Sequence, residues 1–283
     1  MELLDGKYWS NAILDEIKSE LADIKGKISP DIGLAVIVVG DDPASKVYVK
    51  NKISACEKVG ITSKLYTFPT EYTQTELISL IQKLNKDSNT AGILVQLPLP
   101  KQISEKAILE TISPQKDVDG FSPYQVGLLS IGEKSLVPCT PKGIMVLLKK
   151  YNIPICGAHA VVIGRSNIVG KPISNLLIQE NATVTICHTK TRNLTDITLT
   201  ADIIIVATGK PKLLTADMVK DGSIVVDVGI NRINGKLQGD VDFEAVKDKC
   251  SYITPVPGGV GPMTIAMLMS NTLEAYKRQN GIS

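Results

Sequence analysis

At 283 residues, 43% hydrophobic and 21% charged, the chain has the composition of a globular protein with enough length for two domains. Its 31 basic and 29 acidic residues leave a net charge of +2 with no long run of one sign, which argues against a nucleic-acid or anionic-membrane surface and for small-molecule ligands. Five cysteines without C-x-x-C spacing and two isolated histidines speak against a disulfide framework, a metal site and a serine-histidine-aspartate triad, while the absence of a signal-like N-terminus or a long apolar run predicts a cytoplasmic protein.

Apolar strand-like runs alternate with helix-like segments, the pattern of an α/β protein with mainly parallel sheets. A first series predicts strands over 34–39, 64–68 and 92–96, with helices near 45–59, where Ser45 is the expected N-cap and Gly60 the stop, and near 73–86. A helix over 138–151, capped by Thr140 with Pro141 in its first turn, reads as the link between domains. A second series predicts strands over 160–163, 183–187, 202–206, 223–228 and 252–254. The Pro- and Gly-rich stretch 255–262 predicts irregular structure, and 263–277 an amphipathic helix that returns to the first domain. The expected division is therefore 1–139 with 263–283, and 140–262.

Four places carry chemistry. On the helix near 45–59, Tyr48 and Lys52 are four apart and share a face, offering a flat ring and hydroxyl beside an ammonium that burial would turn into a proton-transfer group; the plain alternative is a surface tyrosine and a solvated lysine. Gln96 ends an otherwise apolar strand, where parallel sheets bind ligands, and a neutral amide holds a lysine without fixing it as an ion pair. Asp117 and Asp119, two apart, point the same way in an extended segment, and a carboxylate suits a cyclic amidine or aminopyrimidine; an ordinary Asp-Gly turn is the alternative. Finally, the apolar run ending at Gly164 continues as Gly164-Arg165-Ser166-x-x-x-Gly170, an irregular dinucleotide-binding turn in which a glycine admits the pyrophosphate and a helix N-terminus receives it.

Taken in order, Tyr48-x-x-x-Lys52, Val95-Gln96-Leu97-Pro98, Asp117-Val-Asp119-Gly120, Pro138-Cys-Thr-Pro141, Gly164-Arg-Ser166 and Pro255-Val-Pro257-Gly258-Gly259-Val-Gly-Pro-Met-Thr264 resemble the bifunctional methylenetetrahydrofolate dehydrogenase/cyclohydrolases over essentially the whole chain. The resemblance implies two α/β domains, the second Rossmann-like and NADP-binding, with the active-site cleft between them. It implies oxidation of 5,10-methylenetetrahydrofolate by NADP+ and hydrolysis of the methenyl product to 10-formyltetrahydrofolate. In the roles it carries over, Lys52 transfers protons in the hydrolysis, Gln96 holds it, Tyr48 stacks on the folate and Asp119 anchors the pterin. Val95 and Leu97 line the folate site with Pro257, Gly258 and Gly259; Thr208, Gly209 and Ile230 meet the cofactor. A homodimer serving one-carbon metabolism is also implied, with no metal.

The nucleotide can be read more closely. NAD-binding domains end the second strand on an acidic residue that accepts the ribose hydroxyls. Here that place reads Cys187-His188-Thr189-Lys190-Thr191-Arg192, without an acid, so a 2′-phosphate bound by Arg165 and the Thr189 hydroxyl is expected. Two rivals stand beside this reading. One is a shikimate-dehydrogenase-like oxidoreductase, which would leave Gln96 and the Pro-Gly-Gly loop unexplained; the other is a nucleotide-binding protein that has lost its chemistry.

Overall fold

The computed structural model of the chain describes residues 1–25, 32–233 and 235–282. The first half contains β1 (Glu2–Leu3), α1 (Gly6–Lys25), β2 (Gly33–Val39), α2 (Pro43–Val59), β3 (Thr62–Phe68), α3 (Gln74–Lys86), β4 (Thr90–Val95), α4 (Glu105–Thr111), α5 (Pro123–Ser130) and α6 (Cys139–Lys150). The second contains β5 (His159–Ile163), α7 (Gly170–Gln179), β6 (Thr183–Cys187), α8 (Leu194–Thr198), β7 (Ile203–Val206), β8 (Ser223–Asp227), β9 (Asn231–Ile233), β10 (Lys236–Gln238), α9 (Phe243–Val246), β11 (Cys250–Ile253) and α10 (Val260–Gln279). These elements form two compact units, one of Asn11–Cys139 with Ile265–Ser283, the other of Met1–Ser10 with Thr140–Thr264. Among the described residues no helix is long and apolar enough to cross a membrane.

The first of these, the catalytic unit, is built on a parallel sheet of order β3-β2-β4. Alternate residues of the central strand, Ala35, Ile37 and Val39, pack with Leu77, Ile81 and Leu84 of α3 and with Ile108 and Ile112 of the α4 segment. Their neighbours Leu34, Val36 and Val38 are buried too, so β2 is apolar without alternation, as a strand covered on both faces must be. Beside β4, Ile93 accepts the 116–119 segment: its N–H donates to Lys116 O at 2.8 Å and it bridges Asp117. That pairing brings the Asp119 loop to the carboxyl end of β4.

The nucleotide unit holds a six-stranded parallel sheet, order β1-β11-β8-β7-β5-β6. Val161, Ile163, Ile204, Val206 and Val225 form one side of its core. From β5 the chain goes to β6 on one side, while β7 lies on the other; the loops after β5 and β7 diverge and open a crevice at their carboxyl ends.

Several expectations need correcting. The expected division puts residues 1–10 with the catalytic domain, but they group with the nucleotide unit: β1 pairs with β11 at the edge of its sheet and Leu4 N donates to Ile253 O at 2.9 Å. Helix α6 starts at Cys139, and Thr140 is inside its first turn with its hydroxyl 3.0 Å from that of Thr264. Helix α2 starts at Pro43, so Ser45 is within it rather than before it, and the Ser45 side chain lies outside the described residues. The irregular stretch ends sooner than composition suggests: α10 begins at Val260, because proline in a first turn removes only an N–H that the helix leaves unpaired. The hairpin β9–β10 has no counterpart in the sequence reading, its strands being three residues each.

Candidate active site

Helix α2 presents Tyr48 and Lys52 one turn apart, both half-buried. Lys52 Nζ donates to Gln96 Oε1 at 3.0 Å, across 44 residues of sequence. Gln96 follows the last residue of β4; its backbone N–H still pairs with Ile37 O at 2.8 Å, and its Nε2 donates to Leu97 O at 2.7 Å. With the amide nitrogen turned to Leu97 O, the carbonyl faces the lysine. Gln96 is thereby fixed as an acceptor for Lys52. Val95 before it is buried in the core and Leu97 after it is half-buried.

The two carboxylates of the 117–119 segment divide their work. Asp117 is buried and spends its oxygens on the turn, accepting Gly120 N at 3.0 Å and Ser122 N at 2.7 Å just where Ser122 caps α5. Asp119 keeps part of its surface in solvent and has Cys139 Sγ 3.9 Å from its Oδ1. Burial pushes its carboxyl up to about 6, against the pull of the Lys52 charge and the Cys139 thiol and with a push from Asp117. The structure therefore brings Lys52, Gln96 and Asp119 together.

One residue behind them is not marked by any motif. Asn271 of α10, wholly buried, donates through Nδ2 to Val118 O and Val137 O, each at 2.8 Å, and lies 3.5 Å from Cys139 Sγ. One amide thus ties the Asp119 segment to the Cys139 segment. An asparagine in the middle of an apolar helix was the available signal.

In the nucleotide unit, Gly164 follows β5 with φ +133° and its N–H on Cys187 O at 2.9 Å. A Cβ there would stand 2.2 Å from Ala207 O, and one on Gly170 would stand 2.2 Å from Gly164 O, so only glycine lets strand, turn and helix approach this closely. Ser166 Oγ accepts Val169 N at 3.1 Å and Gly170 N at 3.4 Å, closing the turn into α7. Arg165 and Thr189 are both exposed, and the turn after β6 is closed by Thr191, whose Oγ1 accepts His188 N at 2.8 Å. Thr208 and Gly209, exposed after β7, hang on the buried Asp240 carboxylate: Oδ2 accepts Thr208 N at 2.6 Å and Gly209 N at 2.8 Å. Ile230 follows β8 and is 42% exposed, an apolar surface suited to a planar ring. Pro257, Gly258 and Gly259 belong to this unit as well; Gly258 has φ +114°, and its carbonyl accepts Lys7 N at 2.8 Å. Glycines where the backbone must come close, beside the start of α7, and no acid after β6 are what an NADP pyrophosphate and 2′-phosphate need.

The family described as tetrahydrofolate dehydrogenase/cyclohydrolase, catalytic domain, matches residues 4–119, and the family's NAD(P)-binding domain matches residues 138–280. The bifunctional protein FolD of Halalkalibacterium halodurans is 56% identical over 276 residues, 97% of this chain and 98% of that protein. The solved FolD methylenetetrahydrofolate dehydrogenase/cyclohydrolase of Campylobacter jejuni superposes with a TM-score of 0.97 at 54% identity, over 99% of both chains. A dehydrogenase-cyclohydrolase of Trypanosoma brucei, complexed with NADP and inhibitor, superposes at 0.94 with 38% identity, over 98% of this chain and 97% of its own. Shikimate dehydrogenase of Aquifex aeolicus reaches 0.53 at 14% identity over 90% of this chain, a likeness of fold alone.

Proposed function

The chain belongs to the tetrahydrofolate dehydrogenase/cyclohydrolase family and is an NADP-dependent methylenetetrahydrofolate dehydrogenase and methenyltetrahydrofolate cyclohydrolase, and from that premise we propose which of its residues perform each step. The observation that carries the assignment is the Lys52–Gln96 hydrogen bond at 3.0 Å with the Asp119 carboxylate in electrostatic reach.

Asp119 accepts N–H bonds from the pterin and Tyr48 stacks on the folate ring, which fixes the reacting carbon relative to Lys52. In the hydrolysis, water adds to the electrophilic methenyl carbon and Lys52 takes its proton. Lys52 then returns a proton to N5 as the C–N5 bond breaks, and the hydroxyl proton leaves to solvent, giving the 10-formyl product with one net proton released. Gln96 keeps the amine aimed without neutralising it, since an amide carbonyl adds no charge. A carboxylate in its place would hold Lys52 as a salt bridge.

NADP+ supplies the hydride acceptor of the first reaction. Arg165 and Thr189 bind its 2′-phosphate, Gly164 and Ser166 its pyrophosphate, and Thr208, Gly209 and Ile230 the nicotinamide end. Hydride transfer requires no proton transfer by these residues, so the oxidation asks the protein chiefly for positioning. The same proposal includes a homodimer in the cytoplasm supplying one-carbon units to purine, methionine and histidine synthesis. Support for the dimer comes from β3, an edge strand on which Leu65 is 46% exposed. Loss of chemistry is disfavoured by Lys52, Gln96 and Asp119 standing together.

The test is Lys52→Ala assayed on each reaction separately. Opening of the supplied methenyl ring should fall by about 10³-fold, while NADP+ reduction persists within roughly tenfold. Normal ring opening in that variant would remove Lys52 from the mechanism.

A further inference from the structure

Two buried carboxylates, Asp227 at the end of β8 and Asp240 after β10, are 3% and 0% exposed and take no part in the steps above. Each is packed on the other's glycine: a Cβ on Gly239 would stand 1.8 Å from Asp227 Oδ2, and one on Gly229 would stand 2.2 Å from Asp240 Oδ1. Asp227 spends its bonds locally, with Oδ1 accepting Gly229 N and Asp240 N at 2.9 Å each and Oδ2 accepting Val241 N at 3.0 Å. That locks the Asp240 segment against the loop after β8.

Asp240 reaches outward from that lock. Its Oδ2 accepts Thr208 N at 2.6 Å, Thr208 Oγ1 at 2.9 Å and Gly209 N at 2.8 Å, and its Oδ1 accepts Asn231 Nδ2 at 2.9 Å. Among the described residues no lysine or arginine is ion-paired with it. A buried carboxylate without a cation is held only by N–H and O–H donors, so these four fix the geometry of everything attached to them. What is attached is the turn after β7 and the residue next to Ile230. An asparagine at 240 could not replace it, because donors approach both oxygens and an amide nitrogen would oppose donors at one end or the other.

Resting on the assignment of Thr208, Gly209 and Ile230 to the cofactor, we propose that Asp240 is a positioning residue of the dehydrogenase: its carboxylate sets the Thr208–Gly209 turn and, through Asn231, the Ile230 segment against the nucleotide. Ring opening does not use the nucleotide, and the residues assigned to it in the catalytic unit are untouched by this brace. The two activities of one protein therefore separate positioning from general damage.

The experiment compares wild type with Asp240→Asn for KM and kcat with NADP+, for methenyl hydrolysis without nucleotide, and for thermal midpoint. Expected are a rise of about tenfold in KM for NADP+, a several-fold fall in dehydrogenase kcat, and hydrolysis within about twofold of wild type. Asn231→Ala, which removes a single half-buried donor, should raise the same KM by about threefold and serves if Asp240→Asn fails to fold. Equal loss of both activities in either folded variant, or an unchanged KM for NADP+, overturns the proposal. Hydrogen exchange of the wild type with and without NADP+ tells the two levels apart. Protection over 207–210 and 228–231 with an unchanged KM in the variants refutes the brace alone. No protection there refutes the cofactor assignment, and the brace with it.

Discussion

In the catalytic unit, side chains do the work and backbone holds them. Lys52 and Tyr48 project from one face of α2, Gln96 from the end of β4, and their mutual distance is set by parallel pairing of β2 with β4 and of Ile93 with the Asp117 segment. In the nucleotide unit the arrangement is reversed: glycines at 164 and 170 let strand, turn and helix backbone approach closely, and buried side chains hold loops, Asp240 the Thr208–Gly209 turn and Asp227 the Asp240 segment. The difference follows from the ligands. A proton transfer needs a titratable group on a stiff support, whereas a pyrophosphate and a planar ring need N–H donors and close approach. Damage should consequently be specific to one reaction when it falls on the crevice, and common to both reactions when it falls on the folate anchor.

Asp119→Asn should give the largest effect of that kind. As the proposed anchor of a substrate common to both reactions, the carboxylate would accept charge-assisted bonds worth roughly 1.5–3 kcal/mol, so KM for the folate should rise by about 10- to 100-fold in dehydrogenase and cyclohydrolase assays alike. A loss confined to one activity would show that Asp119 serves a reacting group rather than a shared anchor, and would blur the comparison.

Arg165→Ala should act on one side only. Losing the partner of a 2′-phosphate should raise KM for NADP+ by about tenfold or more while NAD+, which lacks that phosphate, changes by about twofold at most. Cyclohydrolase assayed without nucleotide should be unchanged. Equal losses with both nucleotides would mean that Arg165 holds the pyrophosphate or the turn itself.

The same contrast explains what was legible in the amino-acid sequence. Strand-like runs located every strand of the two main sheets except β1; the central ones, β2, β4, β5, β7 and β8, are buried on both faces and therefore have a continuous apolar spelling, whereas the edge strands β3 and β6 are mixed. Tyr48, Lys52, Gln96 and Asp119 are picked out by six motifs in family order, since spacing alone leaves a surface tyrosine, a solvated lysine and an Asp-Gly turn open; what the fold adds is Lys52 on Gln96 at 3.0 Å. The supports were not legible. Asn271, Asp227 and Asp240 act by satisfying backbone donors and acceptors from segments far away in sequence, and spacing carries no trace of such a partner until the fold brings it near. Residues 1–10 were misassigned for a related reason: a two-residue strand has too little pattern to announce which sheet it will extend.

The smallest expected effect, a pH dependence, tests whether Asp119 is the shared anchor by a route that needs no mutation. Burial raises its carboxyl to about 6, above the ordinary carboxylate range, so it is ionised at neutral pH and takes up a proton as the pH falls through 6. Protonation removes an acceptor from the pterin, and kcat/KM for the folate should fall by about tenfold per pH unit below that point. Asp227 is likewise raised to about 6 by burial and lies in the nucleotide unit, so the dehydrogenase profile mixes two groups. Cyclohydrolase assayed without nucleotide isolates Asp119, and Asp119→Asn should flatten that acid limb while lowering the plateau. The sign for stability is opposite to that for binding. With the folded value above the unfolded one, the native state binds more protons between about pH 4 and 6, so Asp119 detracts from stability progressively as pH rises through this window and throughout the neutral range. Acid-limb kinetics that fall while the thermal midpoint, corrected for other groups with the Asp119→Asn protein, rises over the same interval would identify a carboxylate kept ionised for its ligand at the expense of the fold.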